Sequence, residues 1–340
     1  MKIAIIHAAY VQPPEGFYTG GVTFDKALPL VNANFDKIFA MLRRAGHAGA
    51  DLAVTHEDFG NIGSHMRDIG NLSLFRQLVE AVEGRVIGEL CAIAKEYGMM
   101  IAANEYETDK ENVYNTTKLI GRDSAILGKY RKVHIPSGER FQVQGGQDMP
   151  VFKTEFGNIG FAICYDFIFP EHCRTMALNG ADMIIVQTQG WAVGSGSSIE
   201  TGEAFMRVRA AENSVYLVVA KNNFGEGGAS CIVDNLGNIV ASMSSPEDNV
   251  FMTEVEPNFD LIDKYDYDNL FAGLNSIRAR HLLHREPHAY AKIAQEMPAL
   301  GQDFRSELLR GERMCTYEEL KEIIRKLNQS APYERSKYHW

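Results

Sequence analysis

Seven short apolar runs, at residues 3–6, 52–54, 99–103, 117–120, 159–163, 183–186 and 215–220, punctuate the first two thirds of the chain. Each is short for a helix, and a continuous run of this length reads as a strand buried on both faces. Helical patterns stand between them. Val31, Phe35, Ile38, Phe39 and Leu42 recur on one helical face and give way to Arg43, Arg44 and Gly46. Val79, Val82, Val86, Leu90, Ile93 and Tyr97 repeat the pattern and stop at Gly98, a basic turn and a glycine being ordinary helix endings. Strands alternating with helices predict an α/β layered fold. Residues 231–234 and 239–242 flank the turn sequence Asn235-Leu236-Gly237-Asn238, which predicts a hairpin and therefore a mixed sheet, against a purely doubly wound nucleotide fold.

With 340 residues, 45% of them hydrophobic and 23% charged, the chain has the make-up of a folded, enzyme-sized protein rather than a disordered or collagen-like one. Its 34 basic and 44 acidic residues leave a net charge of −10. No basic stripe is present to neutralise phosphates, so no nucleic-acid partner is expected. The five cysteines, at positions 91, 164, 173, 231 and 315, are odd in number and contain no C-x-x-C pair. Neither a disulfide framework nor a zinc knuckle follows, and a reducing, cytoplasmic location is expected. The apolar run after Lys2 is too short for a signal peptide, and no stretch is long enough to predict a membrane span.

Near Pro257 the pattern changes, which predicts a main domain over residues 1–257 and an extension over 258–340. In the extension, Thr316 and Glu319 form a capping box ahead of the apolar stripe Leu320, Ile323, Ile324 and Leu327. Such a stripe needs a partner surface, and a homodimer or larger homo-oligomer is the expectation.

Several familiar motifs fail on spacing. The stretch from Gly121 to Lys129 has six residues between its glycines and Tyr130 where a phosphate loop needs a hydroxyl beside the lysine. No G-x-S-x-G elbow is present. His281 and His284 lack a carboxylate or cysteine at matched spacing, so no metal site and no cofactor are expected.

The sharper signal is Phe161-Ala162-Ile163-Cys164-Tyr165-Asp166, followed by Pro170 and Glu171. A strand ends at a cysteine, the chain turns, and proline with an acid opens a helix. Taken alone, the segment suits a small packed thiol more than a nucleophile. Two further strand ends change the balance. One terminates in Thr55-His56-Glu57-Asp58-Phe59 and the other in Tyr130-Arg131-Lys132-Val133-His134. A nucleophilic thiol needs a base and a cationic or donor-rich cradle for the oxyanion, and ligand sites in α/β sheets gather at the carboxyl ends of strands.

Glu57 in T-H-E-D-F, Lys132 in Y-R-K-V-H-I-P and Cys164 in G-F-A-I-C-Y-D-F-I-F-P-E-H-C-R, in this order, resemble the nitrilase superfamily of carbon–nitrogen hydrolases. Tyr114-Asn115-Thr116, the segment from Val151 to Gly160, Arg209-Ala210-Ala211-Glu212-Asn213 and the turn region from Gly228 to Gly237 extend the match over roughly the first 255 residues. The resemblance implies a four-layer α-β-β-α sandwich with mixed sheets. It implies Glu57 as general base, Lys132 as oxyanion stabiliser, Cys164 as nucleophile and Glu139 as a second acid. His56 stands where the family commonly has proline.

Lys132 and the Tyr165 backbone N–H are expected to hold the oxyanion; a free thiol being only slightly ionised at neutral pH, Glu57 is expected to assist its deprotonation while the lysine favours thiolate. Gln189, Gly190 and Trp191, following the strand at 183–187, are expected to line the pocket. Members that cleave true nitriles usually carry Trp-Glu after the nucleophile, whereas Tyr165-Asp166 resembles the amidase and carbamoylase branches. The expected partner is therefore a small linear amide or N-carbamoyl amine.

Overall fold

The computed structural model describes residues 1–19, 21–67, 72–136, 139–190, 199–223, 228–259 and 277–294. The chain divides into two compact units, one of Met1–Pro136 with Gln142–Leu283 and one of Ser137–Phe141 with His284–Trp340. In the second unit the described residues form two 3-10 turns, Glu139–Phe141 and Pro287–Ala294. The capping box at Thr316 and the stripe from Leu320 to Leu327 lie outside the described residues.

The first unit contains β1 (Lys2–His7), α1 (Phe24–His47), β2 (Leu52–Val54), α2 (Leu72–Tyr97), β3 (Met100–Asp109), β4 (Asn112–Ile120) and β5 (Ile126–Arg131). It continues with β6 (Phe152–Thr154), β7 (Gly157–Ile163), α3 (Pro170–Leu178), β8 (Met183–Thr188), α4 (Ile199–Asn213), β9 (Tyr216–Lys221), β10 (Ser230–Val233), β11 (Ile239–Met243), β12 (Asn249–Glu254) and α5 (Ile277–Leu283). The strands form two six-stranded sheets, ordered β12-β1-β2-β3-β4-β5 and β11-β10-β9-β8-β7-β6. Each has three parallel strands at its centre, β1-β2-β3 in one and β7-β8-β9 in the other, with antiparallel strands on both sides.

Side-chain alternation along the strands makes the layers. Ala4 and Ile6 of β1 pack with the apolar stripes of α1 and α2, while Ile3 and Ile5 face the second sheet. The inter-sheet core joins Leu52, Val54, Met100 and Leu119 to residues of β7, β8 and β9, and Met176 and Met206 of α3 and α4 extend it on the far face. Helices thus cover the outer faces of two face-to-face mixed sheets, the α-β-β-α arrangement. Fully burying one such aliphatic side chain contributes roughly 1.5–3 kcal/mol.

Three details set the frame. The first unit reaches past Pro257 to Leu283, where Arg278 of α5 pairs with Asp182 and donates to the Ala181 carbonyl at 2.7 Å. The turn between β4 and β5 accounts for the glycine at 121, since the Ser124 N–H donates to the Gly121 carbonyl at 3.0 Å in a hairpin corner. Beyond β5, the Gly146 N–H donates to the Lys132 carbonyl at 2.8 Å, and a Cβ at Gly146 would stand 2.3 Å from the Arg131 carbonyl oxygen. That oxygen is backbone and cannot swing aside. Gly146→Ala is therefore expected to destabilise the protein by about 1–3 kcal/mol, read as a lower denaturant midpoint at unchanged slope; an unchanged midpoint contradicts the close approach.

Candidate active site

Glu57, Lys132 and Cys164 each follow the end of a strand, β2, β5 and β7 respectively. Opposed packing of the two sheets brings the three ends together. Lys132 Nζ donates to Glu57 Oε1 at 2.9 Å, with the two side chains only 2% and 5% exposed. The Cys164 sulfur lies near the Glu57 carboxylate and the Thr188 hydroxyl at the end of β8, close enough for both to act on its pKa.

Each group is held by its own local structure. The Lys132 N–H donates to the Asn115 carbonyl at 2.9 Å, continuing the β4–β5 pairing by one residue. The Asn115 side chain, on the same strand, donates to Glu57 Oε1 at 3.1 Å. Asn104 of β3 donates to Asn115 Oδ1 at 2.8 Å and accepts the Asp58 N–H at 2.8 Å. Asp58 has φ +48° and caps the following 3-10 turn, accepting the N–H groups of Ile62 and Gly63 at 2.8 Å each. His56 is buried beside Tyr10, with its Nδ1 2.9 Å from the Glu57 carbonyl oxygen. Burial lowers the His56 pKa to about 4, so the imidazole is neutral at pH 7 and adds no charge next to the carboxylate.

Cys164 lies in the left-handed region at φ +46°, a conformation uncommon for a residue with a Cβ and one that recurs at functional sites. Its half-buried side chain borders a cavity of about 60 Å³. Phe167, Ile168, Val186, Phe205 and Met206 make most of the wall, and Thr188 supplies a hydroxyl.

Opposing forces act on the resting thiol. Burial pushes its pKa up and the Glu57 carboxylate adds to the rise; Lys132 and Thr188 only partly offset them, leaving about 12. The lysine thus does not produce a standing thiolate. At pH 7 the thiol is therefore protonated at rest. The arrangement suits proton transfer to the carboxylate as sulfur attacks, rather than ionisation beforehand.

Other expected residues fall differently. Tyr165 borders the cavity and meets Phe169 edge to face at 5.3 Å. Gly190, not Gln189, reaches the cavity wall. The cause is strand alternation: Val186 and Thr188 face the cavity, whereas Gln187 turns the other way and donates to the Thr55 carbonyl at 2.8 Å. Trp191 lies outside the described residues. Glu139 is buried and opens the 3-10 turn Glu139–Phe141 of the second unit. The sequence reading did not single out Thr188, or the cavity face of α4 formed by Gly202, Phe205 and Met206. Their spacing of three and one along a helix is an available signal.

A family model described as carbon-nitrogen hydrolase matches residues 7–259. The chain belongs to the carbon–nitrogen hydrolase family, the nitrilase superfamily. It is similar to a nitrilase of Pyrococcus abyssi, 30% identical over 230 residues, covering 66% of this chain and 83% of that protein. It is also similar to the N-carbamoylputrescine amidase of Solanum tuberosum, 27% identical over 247 residues, covering 66% and 82%. Among solved structures, an amidase variant from Nesterenkonia sp. AN1 in complex with butyramide shares the fold with a TM-score of 0.63 at 21% identity, covering 86% of this chain and 96% of that one. Membership makes the protein a hydrolase of carbon–nitrogen bonds. No helix among the described residues is long and apolar enough to cross a membrane.

Because the carboxylate is one of the causes raising the thiol pKa, Glu57→Gln is expected to lower it below about 12, since Lys132 then acts unopposed. More thiolate forms at a given pH, yet turnover falls by roughly 10²–10⁴-fold because the proton acceptor is gone. The pH dependence of Cys164 alkylation, paired with steady-state rates, checks both. A pKa that stays put or rises contradicts the assigned electrostatics.

Proposed function

We propose that the protein hydrolyses a small, uncharged linear amide or N-carbamoyl amine through a thioester on Cys164 and releases ammonia. The observation that carries this reading is the Glu57 carboxylate lying near the Cys164 thiol and 2.9 Å from Lys132 Nζ, with the thiol itself bordering a cavity. As sulfur adds to the carbonyl carbon, its proton passes to Glu57 and the carbonyl π pair moves onto oxygen. The Lys132 ammonium and the Tyr165 backbone N–H take that oxyanion, one such donor being worth about 2.7–4 kcal/mol of barrier. Collapse of the tetrahedral adduct breaks the C–N bond, and protonated Glu57 returns its proton to the leaving nitrogen. Glu57 then deprotonates a water that adds to the thioester. The second collapse breaks the C–S bond and restores the thiol. Glu139 is carried as a second acid by the family resemblance alone.

The cavity narrows the substrate class. Among the described residues its wall offers Phe167, Ile168, Val186, Phe205 and Met206 and no charged side chain, so a short aliphatic group is favoured over one ending in a carboxylate, whose desolvation would go uncompensated. Relatives named for N-carbamoylputrescine and a fold neighbour holding butyramide agree with a small linear substrate.

Released ammonia across a panel of C2–C5 amides, N-carbamoyl alkylamines, ω-carboxyamides and nitriles tests the reading. Uncharged amides or carbamoyl compounds are expected to exceed ω-carboxyamides at least tenfold in kcat/KM, and Cys164→Ala is expected to lose turnover by at least about 10³-fold. Hydroxamate formed from hydroxylamine in excess of hydrolysis identifies an acyltransferase instead. Ammonia release surviving in Cys164→Ala excludes the thioester.

A further inference from the structure

A single buried carboxylate ties the cysteine turn to the lysine segment. Asp166, wholly shielded from solvent, lies two residues after Cys164. Its Oδ2 accepts the Ile163 N–H at 3.0 Å and the Tyr130 hydroxyl at 2.6 Å. Its Oδ1 accepts the His134 N–H and is 2.8 Å from His134 Nδ1, the backbone bond also being 2.8 Å. Tyr130 and His134 stand two residues before and two after Lys132, and the Tyr130 hydroxyl also receives the Val133 N–H at 3.2 Å. Ile163 immediately precedes the left-handed Cys164.

Two further side chains immobilise the hub. The His134 ring stacks on Phe169 at 4.0 Å, and His172 Nε2 lies 2.8 Å from the Phe161 carbonyl oxygen with its Nδ1 3.9 Å from Asp166 Oδ1. His134, Asp166 and His172 are close enough together to suggest a cation, with ligand atoms within 4.8 Å of one another. However, each Asp166 oxygen already receives two hydrogen bonds, so hydrogen bonding accounts for the cluster without an ion.

We infer that Asp166 is a positioning residue: it fixes the Cys164 turn against the Lys132 segment and so sets where thiol and ammonium stand around the reacting carbonyl. The inference rests on the reading of Cys164 as nucleophile and Lys132 as oxyanion donor. The carboxylate stays ionised at neutral pH. Burial alone would raise its pKa, but His172 and the hydrogen bonds from His134 and Tyr130 lower it to about 2. Misplacing reacting groups by about 1 Å can cost on the order of 10²-fold in rate.

Asp166→Asn preserves shape but turns one oxygen into an N–H donor. Whichever way the amide points, its NH₂ faces a backbone N–H, that of Ile163 or that of His134. The expected result is a kcat per titratable Cys164 lowered about 100-fold, with KM within threefold of the parent. The rate of Cys164 labelling by iodoacetamide should shift at least fivefold in either direction. Tyr130→Phe, which removes one arm of the hub, is expected to lower kcat about tenfold. A purely structural role would reduce the yield of folded protein and its melting temperature, leaving kcat per site and labelling rate unchanged.

A folded Asp166→Asn protein with both values within threefold of the parent overturns the inference. If that variant fails to fold, the same two values within twofold of the parent in Tyr130→Phe overturn it. Should the parent release ammonia from no substrate while the labelling rate still shifts in the variants, the amidase reading fails and the positioning role stands.

Discussion

The site depends on a carboxylate and an ammonium kept almost entirely out of water. Moving such ions from water into a protein interior costs several kcal/mol each, and only close pairing with extra hydrogen bonds repays it. Glu57 meets that condition by accepting from Lys132 and Asn115. The Cys164 thiol lies near the same carboxylate, which is thereby positioned to receive its proton. Holding the charges and doing the chemistry are thus one arrangement. The reacting charge appears only as the C–S bond forms, and the lysine is already in place when it does.

That arrangement is secured by polar residues set inside otherwise apolar strands. Gln187, on β8 of one sheet, donates to the Thr55 and Ala102 carbonyls of the other and accepts from Thr117. Asn104 donates to Asn115 and Thr117, and Asn115 reaches Glu57. A greasy inter-sheet interface would permit small slides, since apolar contact is non-directional. These bonds fix the register of the sheets at the end where the functional residues lie. A half-satisfied network of this kind would be worse than an apolar core, which explains why its members occur together.

The layered fold was legible because strand and helix periods are local. The hairpin around Asn235-Leu236-Gly237-Asn238 and the two helices before Gly46 and Gly98 follow from neighbouring residues alone. The pairing of β12 with β1 was not legible, because Asn249–Glu254 is partly exposed and finds its partner at the other end of the unit. In the site, Glu57, Lys132 and Cys164 could be named from their motifs, and the structure brings all three together. What no motif carried was the balance of forces on the thiol: Glu57 and Lys132 act in opposite directions, and burial adds to the side that keeps the proton on sulfur. Gly190 borders the cavity and Gln189 does not, a distinction that needs the phase of β8 and not merely its end.

The left-handed turn at Cys164 shows how the fold makes a thiol usable. Continuing β7 in extended conformation would carry Cys164 on along the sheet, where pairing and packing leave no room for a substrate. Breaking the strand there costs on the order of 1–3 kcal/mol for a residue with a Cβ. The turn is held from both sides. The Ile163 N–H, left without a continuing strand, is taken by Asp166, and Pro170 opens α3 at the position where a missing N–H costs nothing. The strain is thereby confined to one residue, whose sulfur is directed to the cavity and to Glu57. A residue relaxed into the sheet would pack better and react with nothing.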